Sequence, residues 1–577
     1  MPRNAQLSRR GFLGRTAAAT AGLAAVTDAS SAAANTHRKW AQEADVVIVG
    51  SGAAALSAAV AVVQHGGKPI IVEKAPSIGG TTIKSDGAYW IPNNHLMRAK
   101  GLSDPKDDAI RYMASGAYPL TYRPNQVKLG LRDHEYDLIE AYYDNAAPVI
   151  EALESAGAIQ STMVELVDYV DHTKANKAPR GRILLPKIPN GAYGNGRELI
   201  RQLREWLAAK KVPMLTHHAA VDLERNTHGE VVGLRVETAA GPSLLRARKA
   251  VIFASGGYTQ NPELMDNFQP GPILGGCAVP TNQGDFISIG IRAGARLGNM
   301  VNAWRAQLVV EEALQTRSVA RDIWQPPGDS MILVNKYGVR VVDEKRNYHE
   351  RARSHMHWDA LESEYPNKFL FMVYDARTAD LYAGNFPLPE VGGDAPYVVS
   401  GQTLPELAAA LQQRLDSHAD RIGDWPLASD FASALAAEIA RFGEDASKGQ
   451  DTRFSRGKYP YDTEWQMINS VPRADSKRQK NAGPNPTMHP FADKGPYYAI
   501  ILGAGTLDTN GGPVINARSQ VLDTHGKPIA GLYAAGNCVA SPAASAYWGA
   551  GGTIGPAMTF GTIAGRNAVA EAAKEDR

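Results

Sequence analysis

The chain reads Ala44-Asp45-Val46-Val47-Ile48-Val49-Gly50-Ser51-Gly52-Ala53-Ala54-Ala55, an apolar, β-branched run that leads into a glycine-rich turn. The run predicts a parallel strand buried on both faces, since such strands are apolar almost throughout. Residues 55–63 predict a helix, and Lys68-Pro69-Ile70-Ile71-Val72-Glu73 predicts the next strand. Strand, helix and strand within about 30 residues form the βαβ unit of a dinucleotide-binding fold.

The same unit predicts contacts to a dinucleotide. Gly50-x-Gly52-x-x-Ala55 supplies a tight turn, a close backbone approach to a pyrophosphate and a small residue for packing the helix on the strand. The helix N-terminus after Gly52 offers unpaired N–H groups and a partial positive charge to the phosphates. Glu73 ends the second strand, where an acid accepts hydrogen bonds from the adenosine ribose.

Further elements follow along the chain. Residues 120–153 predict a helical region, and residues 212–236 predict paired strands around the turn Asn226-Thr227-His228-Gly229. Residues 249–254 predict another buried strand. Thr403-Leu404-Pro405-Glu406 is a capping box that opens a helix through Leu411.

The domain organisation follows from a change in the sequence pattern after about Gly298. Longer loops and an Ala-rich helical block continue to about Gly483, and the glycine-rich, β-branched pattern then returns. We therefore predict a nucleotide-binding domain built from residues 35–298 and 484–577, interrupted by a substrate-binding and catalytic domain at 299–483.

Composition excludes several classes of protein. The 577 residues carry 61 Lys and Arg against 59 Asp and Glu, so no strong overall positive field attracts nucleic acid. Cys277 and Cys538 are too few for a disulfide framework or a four-cysteine zinc site, and we expect both to be buried small residues. The 14 histidines have no metal-ligand spacing, so no metal is predicted. No membrane-spanning apolar run follows the N-terminus, so stable membrane insertion is not expected.

The N-terminus has the three parts of an export signal. Ser8-Arg9-Arg10-Gly11-Phe12-Leu13 is followed by a mild apolar stretch and by Ala32-Ala33-Ala34. The paired arginines resemble a twin-arginine (Tat) leader, which a translocase reads to move folded proteins. We predict that residues 1–34 are this signal, that the Tat translocase is a partner during export, and that the protein is periplasmic with a tightly held cofactor.

Further glycine-rich segments make the cofactor more specific. They are Gly79-Gly80-Thr81-Thr82, Ala254-Ser255-Gly256-Gly257, Gly284-Asp285 and Gly531-Leu532-Tyr533-Ala534-Ala535-Gly536-Asn537. Together they resemble the FAD-binding segments of the fumarate reductase/3-ketosteroid dehydrogenase flavoprotein superfamily, over most of the chain after the leader. The resemblance implies an α/β fold in which a Rossmann-like, GR2-type FAD-binding domain is interrupted by an α+β capping domain. It also implies non-covalent FAD, since these segments lack the histidine that some relatives link to the flavin.

The resemblance and the βαβ unit together assign cofactor-binding roles. The residues concerned are Gly50, Gly52, Ala53, Ala54, Glu73, Lys74, Gly80, Thr81, Thr82, Ser85, Gly87, Ala220, Ala254, Ser255, Gly256, Asp285, Gly536, Asn537, Gly552 and Ile554.

Two branches of the superfamily need different sites. A fumarate-type reductase clamps a dianion with His and Arg, whereas a ketosteroid dehydrogenase polarises a neutral carbonyl and removes a C–H proton. Residues 79–94 are similar to the ketosteroid dehydrogenases' GGTT…G…WIPNN stretch, and residues 547–561 match their Tyr-Pro-Gly-Pro-Gly-x-Thr-Ile-Gly-Pro-Ala-Met-Thr-Phe-Gly, with Trp548 and Ala550 in place of two prolines. Arg340, Arg346 and His349 are the cations available to a dianion clamp, and we expect them to be solvated.

The ketosteroid dehydrogenase resemblance implies the catalytic residues. It places Tyr547 and the Gly551 N–H at the carbonyl oxygen of the substrate. Residues 338–344 resemble the family segment G-x-R-F-V-N-E, in which the catalytic tyrosine base follows four residues after the acid. Tyr348 stands four residues after Glu344 and therefore takes the place of that base. A second tyrosine is expected to donate a hydrogen bond to it, and the preferred candidate is Tyr142, with Tyr143 close behind.

We therefore expect FAD-dependent α,β-dehydrogenation of a cyclic ketone, with hydride transfer to flavin N5 and an external electron acceptor such as a quinone. The ring is a 3-ketosteroid or a smaller cyclohexanone-like ketone, and the bulk of Trp548 favours the smaller ring. One alternative is reduction of an activated C=C bond, as in fumarate or urocanate reductases. Another is a non-catalytic electron-transfer flavoprotein.

Overall fold

The computed structural model describes residues 38–321 and 323–576, so the predicted export signal lies outside the described residues. The strands within these ranges are β1 (Gln42–Val49), β2 (Pro69–Val72), β3 (Tyr89–Trp90), β4 (Ser161–Val164), β5 (Ile183–Pro186), β6 (Met214–Leu215), β7 (Ala219–Arg225), β8 (Val231–Thr238), β9 (Gly241–Phe253), β10 (Ile273–Gly276), β11 (Leu297–Gly298), β12 (Ala303–Val309), β13 (Met331–Val334), β14 (Phe369–Asp375), β15 (Val398–Gly401), β16 (Tyr497–Thr509), β17 (Gly512–Pro513), β18 (Gln520–Leu522) and β19 (Pro528–Ala534).

The α-helices of the same ranges are α1 (Ala53–Gln64), α2 (His95–Ala99), α3 (Lys106–Ala117), α4 (Asp133–Ser155), α5 (Gly196–Ala209), α6 (Pro262–Phe268), α7 (Asp285–Arg292), α8 (Val310–Gln315), α9 (Tyr348–Arg353), α10 (Ala376–Leu381), α11 (Leu404–Asp416), α12 (Ala419–Ile422), α13 (Phe431–Lys448), α14 (Pro460–Asn469) and α15 (Ile554–Ala570). Short 3-10 helices cover Gly80–Lys84, Val127–Gly130, Ser354–Met356 and Gly536–Cys538. None of the described helices has the length and apolarity needed to cross a membrane.

The first sheet is parallel at its centre. β1 pairs in parallel with β2 and β9, and β19 pairs in parallel with β9. Its order is β18-β19-β9-β1-β2-β6, with the antiparallel β7–β8 hairpin continuing from β9. Residues 46–49 and all of β2 are buried, which explains their unbroken apolar sequence. The predicted βαβ unit and the α/β fold class are confirmed.

The two ends of the chain meet where α15 lies directly on α1. A Cβ atom at Gly561 would overlap the carbonyl oxygen of Ala54, and one at Gly565 would overlap that of Ala58. Both helices are buried along most of their length, so small residues at the crossing allow their backbones to approach closely. This contact joins the N-terminal βαβ unit to the C-terminal segment.

The second sheet is built around β16. This strand pairs in parallel with β10 and antiparallel with β12, β14 and β15, and β13 extends the sheet from β14. Apolar side chains of α11 and α13 pack on one of its faces. The sheet contains β10, which precedes residue 299, and β16, which follows residue 483. It is therefore not confined to residues 299–483. The domain limits at 299 and 483 stay a prediction.

Two predicted helices differ in length from those observed. The region 120–153 is helical only from Asp133, because Lys128 and Leu129 have positive φ and break the preceding turn. The helix predicted to open at Thr403 is present as α11 and continues to Asp416. The Thr403 side chain caps it by accepting from the Glu406 N–H.

A buried ion cluster, centred on Arg182, anchors β3 through the indole of Trp90. The guanidinium of Arg182 donates to Asp104 at 2.6 and 2.8 Å and to Asp168 at 2.7 Å, and all three side chains are fully buried. Asp168 also accepts from the Trp90 indole N–H at 2.8 Å. Two stretches that are distant in sequence, residues 90–104 and 168–182, are thereby fixed to one another.

We expect Arg182→Met to lower the free energy of unfolding by about 3–5 kcal/mol, because it leaves two buried carboxylates without a cation. Urea unfolding followed by circular dichroism measures the loss. Arg201→Met is the matched control: Arg201 also pairs with two acids, at the surface, and its loss is expected to stay within about 1 kcal/mol. Equal losses in the two variants would contradict this account of the cluster.

Candidate active site

A cavity of about 520 Å³ lies at the carboxyl ends of β1, β2, β9 and β19. The carboxyl edge of a parallel sheet is where α/β folds bind their ligands. Of the residues predicted to bind the cofactor, all except Gly87 and Gly552 line this cavity. The sequence motifs therefore converge on one site, although they are spread over some five hundred residues of the chain.

The turn after β1 requires glycine. Gly50 has φ +102°, and a Cβ atom there would overlap the carbonyl oxygen of Ala254 at the end of β9. Gly52 caps α1, whose N-terminal residues Ala53 and Ala54 line the cavity. The Ala53 N–H donates to Thr82 Oγ1 at 3.2 Å, so the N–H groups that follow it remain for an anion.

Charged side chains line the far end of the cavity. Glu73 accepts from Ser51 Oγ at 2.6 Å and from the Ala75 N–H at 2.8 Å, which orients its carboxylate. Lys74 Nζ lies 2.7 Å from Asp285 Oδ2, so two predicted cofactor contacts pair with each other across the cavity wall.

Asp508 is a buried cavity residue that sequence reasoning missed. One of its oxygens accepts from Gly257 N, Asn282 Nδ2 and Asn537 Nδ2 at 2.7–3.0 Å, and the other accepts from Thr509 N and Thr259 Oγ1. Burial raises the pKa of Asp508, and the hydrogen bonds that its oxygens accept oppose this rise only in part. An acid within an otherwise apolar strand was the signal that could have found it.

These residues fit a dinucleotide. The glycine turn gives the close backbone approach, the N-terminus of α1 faces the cavity, and Glu73 lies where a ribose is bound. Asn282 adds an unused acceptor, since its Oδ1 is buried without a hydrogen-bond partner among the described residues. Those residues contain no group of three or more His, Cys, Asp or Glu placed to hold a metal ion.

Three tyrosines form a second feature, here called the tyrosine cluster: Tyr169, Tyr348 and Tyr547. The hydroxyls of Tyr169 and Tyr348 are hydrogen-bonded at 2.7 Å, and Tyr348 also shares a hydrogen bond with Tyr547. The three rings meet edge to face, with centroids 5.0–5.6 Å apart. Asn347 caps α9 and also donates to the Tyr169 carbonyl, which fixes Tyr169 beside Tyr348.

The prediction that Tyr142 supports Tyr348 is wrong. The Tyr142 hydroxyl donates to the carbonyl of Trp90, within a stack of Trp90, Trp548 and Phe560. Tyr143 donates to the Asp104 carbonyl, so it does not reach Tyr348 either. Tyr169 occupies the position expected of the second tyrosine. It lies outside every quoted family motif, so the resemblance had no reason to select it.

Burial and one nearby cation both act on the pKa values of the clustered tyrosines. Burial raises the pKa of Tyr348 and of Tyr169 well above the ordinary value, and the neighbouring tyrosines add to the effect. Arg351 lies one helical turn beyond Tyr348 and is fully buried. It donates only to neutral acceptors, Gln307 Oε1 and the carbonyls of Trp324 and Arg346. Its charge acts on Tyr348 and also on the buried acids Asp343 and Glu344, and burial lowers its pKa to about 10.

Gly551 presents a backbone donor beside the cluster. Its φ is +88°, and a Cβ atom there would overlap the backbone of Ala88 and Tyr89. Its carbonyl accepts from Trp90 N and Gly555 N, whereas its N–H has no acceptor within the described part of the chain. Gly552 packs on the Tyr547 ring, and Thr553 and Ile554 line the cavity. Tyr547 and Gly551 therefore lie where the chain reaches the cofactor cavity.

Several other expectations need correction. Gly87 packs on the backbone of Asn195 and Gly552 on Tyr547, so both support the cavity without lining it. Trp548 does not narrow the pocket: its indole donates to the Met113 carbonyl, and its ring stacks behind the cluster. Cys538 is buried, whereas Cys277 is half-buried and lines the cavity.

Of the cations expected to be solvated, Arg340 and His349 are buried and Arg346 is half-buried. Arg340 pairs with Glu344 and Asp451, and Arg346 donates to Asp462. His349 accepts from the Arg305 N–H through Nδ1 and contacts Tyr547, and burial lowers its pKa to about 4. None of the three lines the cavity.

The fold and the cavity define a dinucleotide-binding α/β protein, and comparison with known proteins specifies its family. Residues 45–554 match the FAD binding domain family. The chain is 31% identical to a 3-oxosteroid 1-dehydrogenase of Mycolicibacterium smegmatis, over 92% of this chain and 98% of that protein. It is 28% identical to a 4-oxocyclohexanecarboxylate 2-dehydrogenase of Sinomonas cyclohexanicum, over 92% and 94% of the two chains.

A solved structure shares the fold. The 3-ketosteroid Δ1-dehydrogenase of Sterolibacterium denitrificans superposes with a TM-score of 0.76 at 24% identity, covering 92% of this chain and all of that chain. The chain belongs to the FAD-binding flavoprotein family, in its ketosteroid dehydrogenase-like branch. It is an oxidoreductase whose cofactor is FAD. Non-covalent attachment stays a prediction.

We expect Gly50→Ala to purify without FAD, because its methyl group would overlap the Ala254 carbonyl and separate β1 from β9. The ratio of flavin to protein absorbance measures the loss. Gly66→Ala is the matched control: Gly66 also has positive φ, but its Cβ would meet no atom within 4 Å, so full FAD content is expected. Normal FAD in Gly50→Ala would contradict the assignment of the turn.

Proposed function

We propose that this protein dehydrogenates a cyclic ketone at the α,β-position in an FAD-dependent reaction. The observation that carries the proposal is the buried tyrosine cluster beside an unpaired Gly551 N–H, at the edge of the cofactor cavity. Such a site offers neutral hydrogen-bond donors and a phenolic base. FAD, when bound in the cavity, supplies the two-electron acceptor for this chemistry.

The carbonyl oxygen of the substrate is bound by Tyr547 and Gly551. Both residues are buried, so their hydrogen bonds act in a low-dielectric setting and strengthen as negative charge develops on the oxygen. This polarisation makes the neighbouring C–H more acidic. His349 keeps Tyr547 in place by packing edge-on against its ring, and it stays neutral at ordinary pH.

Tyr348 removes the α-proton. Burial opposes the phenolate that this step needs, so other groups have to stabilise it. Tyr169 can donate its proton to a Tyr348 phenolate along the 2.7 Å hydrogen bond, and Arg351 adds a positive charge from the next turn of α9. Tyr169 is therefore a positioning and stabilising partner, the role expected of Tyr142 from the sequence.

The main alternative is reduction of an activated C=C bond in a carboxylate, and it is supported by the name of one relative, a probable fumarate reductase of Shewanella frigidimarina at 24% identity. The three cations that the sequence offered for a dianion clamp do not serve one. Arg340 and Arg346 pair with buried acids, His349 is neutral, and none of the three lines the cavity, whereas Lys84 and Arg321 do.

The substrate class is a 3-ketosteroid or a cyclohexanone-like ring. The name of the 3-oxosteroid 1-dehydrogenase relative supports the steroid, and that of the 4-oxocyclohexanecarboxylate 2-dehydrogenase relative supports the smaller ring. The Trp548 side chain packs in the core, so its bulk does not favour the smaller ring. We further propose that electrons leave to an external acceptor such as a quinone. Residues 1–34 are proposed to direct export of the folded protein through the Tat translocase to the periplasm.

The test is anaerobic mixing of the yellow holoenzyme with 4-androstene-3,17-dione, cyclohexanone and 4-oxocyclohexanecarboxylate, while the flavin absorbance is followed. We expect at least one of these ketones to bleach the flavin, because dehydrogenation delivers two electrons to it. The ranking of the bleaching rates identifies the ring.

Chemically reduced holoenzyme mixed with fumarate or urocanate is the control. Re-oxidation by either carboxylate, with no bleaching by any ketone, would overturn the proposal in favour of the reductase. A flavin that responds to none of the compounds would indicate an electron-transfer flavoprotein.

A further inference from the structure

Exposed apolar side chains lie beside the cofactor cavity at the end of α14. Met467 is 67% exposed, and Ile468 and Val471 are each 52% exposed. Asn469, between them in sequence, is half-buried and lines the cavity. Single exposed apolar residues are ordinary, but three within five positions at the edge of a cavity form a patch.

The backbone of this patch is anchored to the body of the protein. Val471 N donates to Asn385 Oδ1, and Asn385 Nδ2 donates to the Val471 carbonyl, both at 2.9 Å. Arg473 N donates to the Leu381 carbonyl at 2.8 Å. The apolar side chains are therefore held outward by a fixed backbone.

Basic residues follow the apolar ones directly. Residues 467–480, here called the rim segment, contain Arg473, Lys477, Arg478 and Lys480 against the single acid Asp475, a net charge of +3. Arg473 is paired with Asp380 and Asp475. Lys477 and Lys480 are exposed and make no ion pair with any residue that the structure describes. Their charges are free to act on a partner.

A second exposed apolar site has the opposite surroundings. Leu361 is 88% exposed and Trp358 is 50% exposed, but Asp359, Glu362 and Glu364 accompany them. An acidic setting repels anionic surfaces, whereas the rim segment combines apolar side chains with cations. That combination is typical of segments that bind the surface of a lipid bilayer.

We propose that the rim segment docks the protein on the surface of an anionic phospholipid bilayer. The apolar side chains enter the boundary between headgroups and acyl chains, and Lys477 and Lys480, rather than Arg478, which pairs with Asp380, contact lipid phosphates. Docking in this way places the Asn469 edge of the cavity against the bilayer, so an apolar ring compound or acceptor can enter from lipid. The inference uses no catalytic assignment, so its failure would leave the proposed function untouched.

The test is co-sedimentation of the holoenzyme with vesicles of phosphatidylcholine alone and with 30% phosphatidylglycerol. We expect binding to the anionic vesicles and its loss at 0.5 M salt, where surface charges are screened. Lys477→Glu/Lys480→Glu is expected to weaken binding at least about 30-fold, since each cation near the surface contributes roughly fivefold. Met467→Ser/Ile468→Ser/Val471→Ser is expected to weaken it at least about tenfold.

Matched controls are Leu361→Ser and Lys210→Glu/Lys211→Glu, which change an exposed apolar residue and two exposed lysines elsewhere. Both are expected to bind as the wild type does, and FAD content verifies folding in every variant. Absence of the wild type from the anionic pellet, or unchanged binding by both rim variants, would overturn the proposal. A rim variant that changes only the oligomeric mass would assign the patch to a contact between copies of this chain.

Discussion

The buried guanidinium of Arg182 is the interaction on which the arrangement of the tyrosines depends. It holds Asp104 and Asp168 by direct hydrogen bonds, and Asp168 in turn holds the indole of Trp90. Asp168 directly precedes Tyr169, whose N–H donates to the Trp548 carbonyl, and Tyr547 precedes Trp548. One buried charge therefore positions two of the three clustered tyrosines.

A second constraint follows from burial itself. A tyrosine base in a dry site is hard to ionise, and the pKa of Tyr348 is raised accordingly. The Tyr169 hydroxyl lies 2.7 Å from that of Tyr348, and the buried cation Arg351, on which Asp343 and Glu344 also act, lies one helical turn beyond Tyr348. By contrast, Arg340 and Arg346 pair with acids, and His349 is neutral. The neutral hydrogen-bond donors of the cluster and the pairing of the nearby cations with acids therefore both favour a neutral carbonyl substrate over a dianion.

The parts of this site that are local in sequence could be predicted, and the parts that depend on distant contacts could not. Local spacing predicts the Gly50–Ala55 turn, Glu73 and the glycine-rich segments, because each belongs to a short, continuous stretch of sequence. Tyr169 and Tyr348 are 179 positions apart, and nothing near either residue indicates their hydrogen bond. Asp508 lies in no quoted motif, and its partners Gly257, Asn282 and Asn537 come from distant segments, so the local sequence does not indicate its role. Trp548 looked like a pocket residue because sequence adjacency to Tyr547 does not reveal that its side chain points into the core.

The most direct measurement of the central claim is exchange of the ketone's α-hydrogens with D₂O, followed by proton NMR. Anaerobic holoenzyme with chemically reduced FAD blocks net oxidation, so exchange reports proton removal alone. The account predicts exchange by the wild type and by Tyr142→Phe, a partial loss in Tyr169→Phe, and at least about a hundredfold loss in Tyr348→Phe, the range typical of a general base. Undiminished exchange by Tyr348→Phe would contradict it.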